Sequence, residues 1–213
     1  MSEIKLSSVL KKNIYTFIEG LKQVYGDGLV SVVLYGSAAA GEFIENHSNV
    51  NILIVLHTTD LSTLELSRKL VHKCLASRIE PLFLSREFLL NSGDVFPIEF
   101  LDMKENHDCL YGEDILKDIN VDLANLRFQC EQELKSKIIL LKQQYLKINP
   151  QDRTSLGLLL SKNVTSAMHI FRNLIRLKGQ PPSYIREEIL KEMFDAMQIQ
   201  HIQIKCRMIN FGE

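Results

Sequence analysis

Gly36 and Ser37 close a run of β-branched and apolar residues, Leu29 to Tyr35, and Asn49 and Asn51 flank Val50 at the opening of a second such run. A glycine at the end of a strand lets the backbone approach a ligand closely. The adjacent hydroxyl and backbone amides suit a phosphate or sulfate. On a strand, side chains at i and i+2 point to the same face. Asn49 and Asn51 are therefore presented together, close to the Gly-Ser turn. Asparagine offers only a neutral carbonyl oxygen and two N–H donors. Asn51 stands out because asparagine is depleted in strands and its neighbours, Val50 and Ile52 to Leu56, are all apolar.

The combination of buried strand, Gly36-Ser37 turn and polar-apolar-polar strand opening resembles the nucleotidyltransferase superfamily of the DNA polymerase beta type. Gly41 and the surrounding strands extend the likeness. The resemblance implies that the Gly-Ser turn holds a nucleotide's phosphates and that an Asp-hydrophobic-Asp pair holds two magnesium ions. A third carboxylate on a later strand completes such a site. This chain departs at the centre, because both aspartate positions are asparagine, Asn49 and Asn51. For the third position the candidate is Glu99 in Pro97-Ile98-Glu99-Phe100, with Asp102 next. Glu42, Glu45 and His47, on the intervening loop, are the residues through which magnesium binding could be rescued; otherwise no cofactor and no metal is expected. The arrangement is similar to bacterial minimal and aminoglycoside-type nucleotidyltransferases, which pair a small catalytic domain with a helical bundle. Phe96 to Asp102 and Leu110 to Asp114 resemble the segment that follows the catalytic strands there.

The elements that must position these residues read clearly. Leu10, Ile14, Phe17, Ile18, Leu21, Val24 and Tyr25 recur at helical spacing and stop at Gly26-Asp27-Gly28. Strands are expected at 29–35, 50–56, 79–84 and Phe96 to Met103, with Pro81 marking an edge or a bulge. Asp60 or Ser62 caps a helix carrying Leu64, Leu70, Val71, Cys74 and Leu75. Beyond about residue 120 only helical stripes occur. They run from Leu123 to Tyr145, from Leu156 to Leu174, and through Ile185, Ile189, Met193 and Met197, the last capped by Ser183. Short connections imply antiparallel neighbours. The expected fold is α+β: a nucleotidyltransferase-like mixed sheet with flanking helices over residues 1–118, then a C-terminal helical bundle over 119–213.

Composition narrows the function. With 25 basic and 26 acidic residues and a net charge of -1, the chain carries no strong nucleic-acid signal. Its 46% hydrophobic content suits a core that needs neither disulfides nor metal. The cysteines Cys74, Cys109, Cys130 and Cys206 are widely spaced and read as reduced thiols. The start, MSEIKLSSVLKK, lacks the apolar region of a signal peptide, and no apolar run reaches membrane-spanning length, so a cytoplasmic protein is expected. The resemblance thus implies a nucleotidyltransferase-fold protein with a degenerate metal site, binding a nucleoside triphosphate or a partner. The alternatives are an active enzyme moving a nucleoside monophosphate from an NTP to a hydroxyl acceptor, and a structural partner or homodimer using the helical half.

Overall fold

The computed structural model describes residues 6–41, 43 and 48–196 of the 213-residue chain. The fold is α+β, and it divides into two compact units, Met1–Asp122 and Leu123–Glu213. Glu42, Glu45, His47, Met197 and the last dozen residues lie outside the described residues.

In the first unit, helix α1 (Ser8–Tyr25) opens where the Ser7 hydroxyl accepts the Leu10 N–H, and it ends at Gly26, whose φ is 51°. Strands β1 (Leu29–Tyr35), β2 (Val50–Leu56) and β3 (Ile79–Ser85) follow, with helix α2 (Leu61–Leu75) between the last two. Together with β4 (His107–Gly112) they make a four-stranded mixed sheet in the order β3-β2-β1-β4. β1 runs antiparallel to β2 and β4, and β2 runs parallel to β3. Pro81 lies on an edge strand, where its missing N–H breaks no ladder bond on the outer side.

The central strands are buried on both faces, which explains their continuous apolar runs. On one face Val32, Leu34, Val50, Ile52 and Ile54 pack with Ile14, Phe17, Ile18 and Leu21 of α1. On the other, Val33, Leu53 and Val55 meet Leu89, Phe100, Met103, Ile115 and Leu116. Each fully buried Leu or Ile contributes roughly 1.5–3 kcal/mol, so this unit closes its core on both sides of the sheet. At the end of β4, Gly112 has φ 77°, and a Cβ there would lie 2.0 Å from the Val30 carbonyl oxygen. Only glycine lets β4 dock this closely on β1.

One expected strand is a helix. The segment Phe96 to Met103, read from sequence as the fourth strand, lies in helix α4 (Pro97–Glu105) from Pro97 on, after the short helix α3 (Arg86–Asn91). Pro97 occupies the first turn, where its missing N–H costs nothing and its fixed φ suits a helix. Phe100 and Met103, three residues apart, then turn inward together. The strand beside β1 is supplied instead by His107–Gly112.

The described secondary structure of the second unit is all helical: α5 (Leu123–Tyr145), α6 (Arg153–Leu177) and α7 (Arg186–Ala196). The Asn149 side chain accepts the Gln151 N–H, and Asp152 caps α6 by accepting the Ser155 N–H. Glu133 pairs with His169, while Lys137, one turn on, donates to Ser166, so α5 and α6 run antiparallel. Leu126 and Cys130 of the α5 stripe are buried, but Ile138 and Tyr145 further along it are exposed. Ser183 sits before α7, its hydroxyl accepting the Ile185 N–H. Among the described residues no helix is long and apolar enough to cross a membrane.

Candidate functional site

Four polar residues line up across the sheet. Glu80 of β3 stands opposite Asn51 of β2, Asn51 opposite Tyr35 of β1, and Tyr35 opposite His107 of β4. Directly opposed residues share a face, so a carboxylate, an amide, a phenol and an imidazole form one row. The row sits where β1 gives way to the Gly36 turn.

That turn is built from backbone geometry. Gly36 takes φ 77°, a left-handed conformation that an L side chain adopts only at a cost of roughly 1–2 kcal/mol. Its N–H donates to the Asn106 carbonyl, which ties the turn to the residue before β4. Its carbonyl accepts the N–H groups of Ala39 and Ala40. Ala38 is buried, and Ser37 is half-buried. A Cβ on Gly36 would meet Asn51 Nδ2 at 3.1 Å. The Asn51 amide therefore lies against the bare backbone of the turn.

Asn49 makes the other decisive contact. Its Nδ2 donates to Glu80 Oε1 at 3.1 Å. An ionised carboxylate only accepts, so this contact fixes which end of the Asn49 amide faces Glu80. Next door, burial pushes the Tyr35 phenol above its ordinary pKa, and the Glu80 carboxylate adds to that rise. At the far end of the row His107 is engaged at both ring nitrogens, Nδ1 with the Lys104 carbonyl at 2.9 Å and Nε2 with Asp114 Oδ1 at 2.7 Å. Burial pushes the Asp114 carboxyl up, but hydrogen bonds from Lys117 and His107 outweigh it and hold the group below its usual range.

The structure thus brings Gly36, Ser37, Asn49 and Asn51 to one end of the sheet. Glu99 does not join them through a strand: it is an exposed residue in the first turn of α4, and Asp102 lies on the same helix. The carboxylate beside the two asparagines is Glu80, which sequence reasoning missed. Its signal was a lone acidic residue at the opening of the third strand, and only the parallel register of β2 and β3 sets it opposite Asn51.

No family model and no curated protein matches the chain. Among solved structures it is similar to spectinomycin adenyltransferase AAD(9) from Enterococcus faecialis, determined with ATP and spectinomycin. The identity is 12% and the TM-score 0.45, over 91% of this chain and 94% of that one.

The described residues of the site do not fit a pair of magnesium ions. Magnesium demands near-octahedral, mostly anionic or water oxygen. Among the described residues the carboxylate beside the two asparagines is Glu80, which accepts an amide N–H from Asn49. Among the described residues no three His, Cys, Asp or Glu side chains converge on a metal position.

Proposed function

We propose that the chain is a nucleotidyltransferase-type protein that binds a nucleotide at the Gly36-Ser37 turn and does not transfer it. The observation that carries this reading is the Asn49–Glu80 hydrogen bond beside the glycine turn. It aims an amide donor, in place of a second carboxylate, at the acidic side chain described beside the asparagines. Metal catalysis lowers a transition state by several kcal/mol, and each 1.4 kcal/mol is tenfold in rate. A site without that contribution is slower by orders of magnitude, while the turn retains the means to hold a phosphate. A thermal-shift series with ATP, GTP, CTP and UTP tests this. At least one nucleotide should raise the melting temperature, and Ser37→Ala together with Gly36→Val should abolish the rise. No shift with any nucleotide would refute the reading.

A second reading has its own observation. Ile138, Ile139 and Leu140 of α5 and Leu158, Leu160 and Val164 of α6 are exposed, more apolar surface than solvated helices need. This favours a partner-binding role for the helical unit, with a second copy of the chain as the simplest partner. A monomeric mass in light scattering at high protein concentration would remove the homodimer.

A further inference from the structure

We infer that this site takes its nucleotide free of divalent cation, with the Asn51 amide donating where a metal ion would otherwise bridge protein and phosphate. The inference rests on the nucleotide-binding reading above and goes beyond it, because it specifies the ionic form of the ligand. Two amide placements, one held by a hydrogen bond to Glu80 and one lying against the Gly36 turn, point the same way. Asn49 Nδ2 is directed at Glu80 Oε1, 3.1 Å away. That bond couples the site's carboxylate to a neutral donor and reduces its hold on a cation. Asn51 Nδ2 is directed at the turn, 3.1 Å from where a Gly36 Cβ would stand. Among the described residues no side-chain hydrogen bond engages Asn51, so its two N–H groups are available to an anionic oxygen resting on the Gly36-Ser37 backbone.

Where a carboxylate pair attracts a metal–phosphate complex, an amide pair of this orientation attracts the bare phosphate. Hydrogen bonds to a charged acceptor are roughly twice as strong as neutral ones. A phosphate oxygen already bound to magnesium has given up that acceptor strength and carries a hydrated dication toward two N–H groups. Asn51 therefore discriminates against the complexed nucleotide by presenting donors to a cation.

Titration of the 213-residue chain with a fluorescent ATP analogue tests the inference, once in EDTA and once in magnesium in excess over nucleotide. The expected result is binding in EDTA that weakens at least about tenfold in magnesium, equivalent to about 1.4 kcal/mol. Asn51→Asp should reverse the preference, losing binding in EDTA and keeping any residual binding only with magnesium. Asn51→Ala, which leaves no charge to disturb folding, should lose the EDTA binding without gaining the magnesium-dependent kind; circular dichroism confirms that both variants fold. Binding by the natural protein that is equal or tighter in magnesium would overturn the inference while leaving nucleotide binding in place. That outcome would transfer attention to Glu42, Glu45 and His47 as metal ligands. Absence of binding in both buffers would overturn the inference together with the reading on which it rests.

Discussion

Asn49 and Glu80 are joined at 3.1 Å by an N–H donor facing a carboxylate. Replacing the amide with a second carboxylate would turn attraction into repulsion at the same distance. Two unit charges a few Å apart in a water-exposed setting interact by about 1 kcal/mol. Both residues are exposed, so the penalty stays near that figure. Asn49→Asp should therefore lower the melting temperature in metal-free buffer by about 2–4 °C, the shift that roughly 1 kcal/mol produces in a chain of this size. Added magnesium should restore it, because a cation that binds only the folded state stabilises it by mass action. Differential scanning fluorimetry in EDTA and in magnesium reads both effects. Equal melting temperatures for variant and natural protein in both buffers would mean that Asn49 and Glu80 do not oppose each other in solution.

Helix α2 carries a pH dependence of its own. Asp60 caps it by accepting the Thr63 N–H at 2.8 Å, and it also accepts hydrogen bonds from the Ser62 and Thr63 hydroxyls. The Ser62 bond, with those from Thr63, lowers the Asp60 carboxyl to about 2. A carboxyl depressed in the folded state contributes stability above its unfolded pKa, near 4, and loses it as pH falls through the folded value. The natural protein should therefore lose melting temperature between about pH 4 and pH 2. Asp60→Ala should start lower at pH 7 and lose less across that window; parallel acid curves would contradict the assignment of Asp60 as the cap. The elements on either side were legible without coordinates. β1, β2 and β3 begin and end within a residue of where β-branched runs meet Gly36, Asn49 and Ser77-Arg78. The α4 segment was not, because Pro97-Ile98-Glu99-Phe100-Leu101-Asp102-Met103 satisfies both periods: Ile98 and Phe100 alternate like a strand, while Phe100 and Met103 recur like a helix. The first-turn proline and the neighbouring edge of β1, taken by His107–Gly112, decide for the helix. Gly36, Ser37, Asn49 and Asn51 could be picked out because the turn and the i, i+2 rule are local. Glu80 could not, since its place beside Asn49 depends on the register of two strands separated by the whole of α2.

At the scale of the whole chain, the unit Met1–Asp122 covers both faces of its sheet with its own helices and holds every described member of the site. The site thus depends on a core that this unit completes alone, while the unit Leu123–Glu213 contributes an antiparallel pair, α5 and α6, with apolar residues left exposed. The proposed nucleotide site needs no metal to form, because the turn and the strand register are held by backbone hydrogen bonds and by this apolar core. Calorimetric titration of magnesium into the natural protein and into the Asn49→Asp, Asn51→Asp double variant tests this most directly. The natural protein should show no saturable magnesium binding, and the double variant, with Glu80 supplying a third carboxylate, should show it. Saturable binding by the natural protein, lost on Glu80→Gln, would contradict the account.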